Sequence, residues 1–126
     1  MSITAESKLT MDRRERLATN VSAATSVMKI ANKSKLSVHV IIDNTDEVGT
    51  INVEVGNDGT HFNEVWYKDE NEVLQTSGIS VTSGTDINFL YDPLETNAKY
   101  LRVRYTSTSG GSASNYLNVY VNDSAR

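Results

Sequence analysis

Two histidines, an acidic turn and a set of tyrosines and arginines are the groups whose chemistry the sequence offers. His39 alternates with Val38 and Val40, and His61 follows the triplet Asn57-Asp58-Gly59. Neither has a cysteine or another histidine at the His-x-x-x-His or His-Glu-x-x-His spacing that zinc sites need. Both read as surface histidines. The chain has no cysteine, so thiol nucleophiles, disulfides and Cys-ligated metals are excluded. No Gly-x-Ser-x-Gly elbow, phosphate-binding glycine loop or dinucleotide fingerprint occurs. The run Asp43-Asn44-Thr45-Asp46-Glu47, tested as a calcium loop, puts Val48 where an EF-hand needs glycine and Glu54 inside a strand pattern. It reads as a solvated turn, with a looser inter-strand calcium site as the alternative. The residues nominate no catalytic pair, no metal ligand set and no cofactor, so the expectation is a protein that is not an enzyme.

Contact chemistry is better represented. Tyr91 and Tyr105 share the alternation of their apolar neighbours and belong to a core. Tyr116 and Tyr120 share the alternation of Asn118 and point outward. Two outward tyrosines on one strand mark a contact surface or a cross-strand pair with Arg102 or Arg104. The contact surface is preferred, since Tyr and Arg are enriched at interfaces. With Trp66, Tyr67 and Tyr100, these rings could also line a sugar-stacking face.

Charge divides the chain. Residues 1–35 carry seven basic groups against three acidic ones, a net +4, including Arg13, Arg14 and Arg16. Residues 36–126 carry five against thirteen, a net −8. An acidic body argues against nucleic acid as a general partner. In residues 1–24 the apolar positions Ile3, Leu9, Met11, Leu17 and Val21 fit neither a strand nor a helical stripe. This segment is expected to be an N-terminal arm, ordered where a partner receives it. The competing expectation is that it packs on its own acidic domain.

From residue 25 onward the pattern is period two. Runs at Leu36–Ile42, Ile51–Val55, Ile79–Thr82, Ile87–Tyr91, Leu101–Tyr105 and Leu117–Val121 alternate apolar with polar residues, and Phe62–Tyr67 is aromatic-rich. A further strand fits Ser26–Ala31. Asn57-Asp58-Gly59, Ser83-Gly84, Asp92-Pro93 and Gly110-Gly111 supply turns. Ser, Thr and Asn make up 39 of the 126 residues, which suits sheets with one wet face. The expected fold is an all-β, antiparallel β-sandwich of seven or eight strands, jelly-roll or immunoglobulin-like, over residues 25–126. Its expected core is Val38, Val40, Ile51, Val53, Phe62, Ile79, Val81, Phe89, Leu101, Val103, Leu117 and Val119. No apolar run suggests a signal peptide or a membrane span, and the expectation is a protein made in a reducing cytoplasm, without a membrane partner.

Two stretches carry a resemblance. INVEVGNDGTHFNEV, residues 51–65, looks like a strand–turn–strand of small viral and carbohydrate-binding sandwiches, and KYLRVRYTSTSGGSASNYLNVYV, residues 99–121, resembles the closing hairpin of bacteriophage virion accessory proteins. Discoidin-like and immunoglobulin-like modules share these features. The resemblance to phage proteins implies a structural virion protein, foremost a capsid decoration protein. Its partner would be a major capsid protein or another virion subunit, with a homo-oligomer as a further option, and it would act on the virion. Arg13, Arg14, Arg16, Leu9, Met11 and Leu17 would anchor the arm, and Tyr116 and Tyr120 would add contacts. The alternatives are a glycan-binding module and a tail or head-fibre accessory protein.

Overall fold

The computed structural model describes residues 11–19, 21–31, 36–43, 47–65, 67–68, 71–75, 78–84, 86–94, 96–109 and 116–123. Twelve strands are present among them: β1 (Met11–Ala18), β2 (Ala23–Ala24), β3 (Met28–Lys29), β4 (Leu36–Ile42), β5 (Val48–Gly56), β6 (Asn63–Glu64), β7 (Tyr67–Lys68), β8 (Leu74–Gln75), β9 (Ile79–Val81), β10 (Ile87–Leu94), β11 (Tyr100–Ser109) and β12 (Tyr116–Asp123). Sheet A has the order β1-β12-β4-β10. Sheet B has the order β2-β11-β5-β6, with β3 also on β11 and β9 also on β5. Strands β7 and β8 form a separate ribbon. All pairings are antiparallel. This is the all-β sandwich that the alternation implies, but among the described residues its two sheets hold ten strands rather than seven or eight, because two-residue strands such as β2, β3 and β6 are too short to show an alternation.

The period-two rule places the side chains. In β4, Leu36, Val38, Val40 and Ile42 are buried while Ser37, His39 and Ile41 are half-buried. Sheet A contributes these residues with Leu117, Val119, Val121 and Tyr91. Sheet B contributes Ile51, Val53, Val81, Leu101, Val103 and Tyr105, and one cluster joins both sets. Ten of the twelve expected core residues are buried. Phe89 and Phe62 are half-buried instead. Phe89 packs edge-on against Tyr91 at 4.8 Å, at the margin of the core. Phe62 lies under the Arg102 guanidinium at 4.1 Å. Met28, Ile30, Leu36, Ile42, Leu94 and Val121 complete the core.

The N-terminal segment departs from expectation. Residues 11–18 are not a separate arm but an edge strand, paired with β12 from Met11↔Asp123 to Ala18↔Tyr116. The amphipathic signal is missing because β1 sits at the sandwich rim. Of its inward positions, Leu17 reaches the core while Arg13 and Glu15 meet Ser26. Such charge on an edge strand discourages stray pairing. Residues 1–10, and Leu9 with them, lie outside the described residues. At the other edge, β10 carries Pro93, with a register shift between Tyr91 and Leu94; an edge is where a strand tolerates proline.

Buried polar groups pair where the chain crosses between the sheets and within sheet B. Thr19 and Glu47 are both fully buried, and the Thr19 hydroxyl donates to the Glu47 carboxylate. Glu47 is thus not part of a solvated turn, and residues 44–46 lie outside the described set. Thr25 Oγ1 accepts from the Val103 amide at 3.0 Å. Gly49 is required by close approach, since a Cβ there would collide with the Tyr105 hydroxyl and the Thr106 carbonyl. Gly59 closes the Asn57-Asp58-Gly59 turn at φ +83°, a conformation natural to glycine.

Candidate protein-docking face

The outer face of sheet A is built by register alone. Arg14 pairs with Tyr120, Tyr120 with His39, and His39 with Leu90, one residue from each strand. The next row is Arg16, Asn118, Ile41 and Asn88. The Arg14 guanidinium lies 5.3 Å from the Tyr120 ring centroid, and that of Arg16 lies 4.2 Å from the Tyr116 centroid. The His39 and Tyr120 rings are tilted against each other at 6.2 Å. His39 Nε2 is 2.6 Å from Asn88 Oδ1, and with that oxygen as acceptor Nε2 is the protonated nitrogen. Leu90 is 50% exposed, a large apolar side chain beside these polar groups.

The two outward tyrosines thus pair with arginines, but not with Arg102 or Arg104. Those sit on sheet B, where Glu54 Oε1 accepts from Arg102 Nε at 2.7 Å and from Arg104 Nε at 3.4 Å. On sheet B one carboxylate is thus shared by both arginines. Among the described residues, no carboxylate lies within ion-pair distance of Arg14 or Arg16. Each is steadied by a ring, an interaction worth about 0.5–1 kcal/mol at an exposed site.

The other nominated residues are placed differently. Arg13 Nη2 bonds Glu15 Oε2 at 3.0 Å and Ser26 Oγ at 2.9 Å. Burial pushes the Glu15 carboxyl up, but hydrogen bonds from the Ser26 hydroxyl and amide and from Arg13 outweigh it and hold the pKa below the ordinary value. Leu17 is buried in the core. Arg13 and Leu17 thus hold β1 to its own domain. Met11 lies in β1, where its side chain is outside the described set, as is Trp66. The sequence reading missed His39, Asn88 and Leu90 as members of the face. Their outward parity was the available signal, but only the strand order brings them beside Tyr120.

A second polar cluster lies at the Asn57-Asp58-Gly59 turn. Asp58 Oδ1 accepts from the Thr60 and His61 amides at 2.9 and 2.8 Å, and Oδ2 lies 2.6 Å from His61 Nδ1. The amides of His61 and Thr60 and the His61 ring hold the Asp58 carboxyl far below the ordinary range. These bonds close the turn on itself beside an open cavity of about 360 Å³ lined by Val55, Asn57, His61, Asn63 and Ala98. Among the described residues no group of three His, Cys, Asp or Glu side chains is placed to hold a metal ion, and no helix is long and apolar enough to cross a membrane.

No protein-family pattern matches the chain, and no curated protein matches it in sequence. Solved structures do match in fold. The SPBc2 prophage-derived protein YomS superposes with a TM-score of 0.55 at 8% identity, over 90% of this chain and 96% of that one. A chain from Bacillus endospore appendages, described as disulfide-linked pili, superposes with a TM-score of 0.46 at 10% identity, over 93% of this chain and 89% of that one.

Proposed function

We propose that this protein is a structural, non-enzymatic subunit of a phage-type particle, attached to a neighbouring protein subunit through the outer face of sheet A. The observation that carries this reading is the pair of arginines, Arg14 and Arg16, held over Tyr120 and Tyr116 without a described carboxylate partner. Arg and Tyr are enriched at the centres of protein interfaces, and a guanidinium already held over a ring has less freedom left to lose on binding. Bidentate guanidinium donors select carboxylate-bearing surfaces. The fold shared with a prophage-derived protein supports a phage setting. A capsid decoration role is the specific form of this proposal, with the acidic remainder of the chain turned outward where like charge keeps particles apart.

Density-gradient fractionation of the source culture, followed by mass spectrometry of the particle band, tests it. The reading expects this chain in the particle band at a fixed ratio to the major subunit. Recovery only in the unsedimented fraction would contradict it. Binding of the purified chain to a glycan array, with no particle association, would instead favour a glycan-binding module.

A further inference from the structure

The docking face is not uniformly cationic. Arg14 and Arg16 come from β1, at one edge of sheet A. At the other side, Asp43 directly follows β4 and Asp86 directly precedes β10. Ile41 pairs with Asn88 and Ile42 with Ile87, so Asp43 and Asp86 continue the outward alternation one step beyond that row. Both are exposed. Tyr116 and Tyr120 lie on β12, between the arginines of β1 and the strands that carry the carboxylates, while His39, Ile41 and Leu90 lie further along β4 and β10. A face with cations on one edge strand, carboxylates at the ends of the two strands on the far side and aromatic groups between is complementary to itself.

We infer that the partner of this face is a second copy of the same chain, packed sheet A to sheet A about a two-fold axis parallel to the strands. This rests on the reading that the outer face of sheet A is the docking face, and it names the occupant. Such an axis lays β1 of one copy over β10 of the other and β12 over β4, while keeping each row opposite the same row. The Arg16 guanidinium, already drawn over the Tyr116 ring of β12, then faces the end of β4 in the second copy, where Asp43 stands. The symmetry makes the contact twice, as an isologous interface requires. An axis across the strands would instead bring the arginines of the two β1 strands together, so charge selects the first arrangement. Four strands spaced about 4.8 Å apart and about seven residues long give a flat face of roughly 450 Å² per copy. Two such faces total roughly 900 Å², below the roughly 1,200 Å² at which stable specific interfaces begin and within the span of weak, transient ones, so the dimer is weak and concentration-dependent.

Sedimentation equilibrium of the purified full chain, from about 1 μM to about 1 mM, tests this. The wild type is expected to pass from monomer to dimer within that range. Arg16→Glu should weaken dimerisation at least about tenfold, Asp43→Arg should do the same, and the double variant Arg16→Glu/Asp43→Arg should restore it. Thermal melts of each variant establish that the domain is folded. A wild type that stays monomeric overturns the inference, as does a dimer that Arg16→Glu leaves unchanged. A monomer that still needs Arg14 and Arg16 to enter particles overturns self-pairing while leaving the docking face in place.

Discussion

The Arg16 guanidinium sits 4.2 Å from the centroid of the Tyr116 ring, and the two residues come from opposite ends of the chain. The strand pair β1–β12 joins those ends, and the arginine is fixed over the ring rather than left to wander. A double-mutant cycle between Arg16→Ala and Tyr116→Ala should show a stability coupling of about 0.5–1 kcal/mol. Each single change should cost little more than that, since both side chains are exposed. Strictly additive effects would mean that the stack contributes nothing.

Removing the first strand should harm the fold. Deletion of residues 2–18 takes away the β12 partner, the burial of Leu17 and the Arg13–Glu15–Ser26 contacts. Loss of a buried leucine alone costs about 2–5 kcal/mol. The melting temperature should therefore fall by more than about 10 °C. An unchanged melting temperature would mean that β1 is the detachable arm the sequence suggested.

Acid should loosen the same rim. The Glu15 carboxyl is held below its ordinary pKa by Ser26 and Arg13. A lowered pKa contributes stability that is complete above the unfolded value, about 4.3, and is lost as pH falls through the folded value. Wild-type stability should decline on acidification below about pH 5, and Glu15→Gln should remove part of that slope. Parallel pH profiles for the two proteins would contradict this role for Glu15.

The Tyr105 hydroxyl is buried, and among the described residues it has no hydrogen-bond partner. Burial and the Glu47 charge both push its pKa up. Tyr105→Phe keeps the ring and removes an atom that costs free energy to bury, so stability should change by less than about 1 kcal/mol. Tyr105→Ala should cost about 3–5 kcal/mol. A phenylalanine variant as unstable as the alanine one would show that the hydroxyl is bonded.

Alternation made the sandwich legible from residues alone, because a strand with one wet face writes its period into the sequence. Val38, Val40, Val119 and Tyr105 follow it without exception. Strand β1 was illegible for the same reason. Its inward Arg13 and Glu15 find polar partners on Ser26 at the rim, so the apolar period breaks. Phe89 and Phe62 have the inward or aromatic character of core residues but lie at the margins, which parity does not encode. The outward turn of Tyr116 and Tyr120 was readable. Their pairing with Arg16 and Arg14 was not, since it depends on which strand lies beside β12.

The central claim is that the outer face of sheet A attaches this chain to its neighbours. Its most direct test is particle incorporation of the folded Arg14→Glu/Arg16→Glu variant, measured against wild type in the same preparation by quantitative mass spectrometry of the particle band. Incorporation is expected to fall at least about tenfold, while the melting temperature drops by no more than about 10 °C, as loss of the two ring contacts alone requires. Incorporation equal to wild type would contradict it.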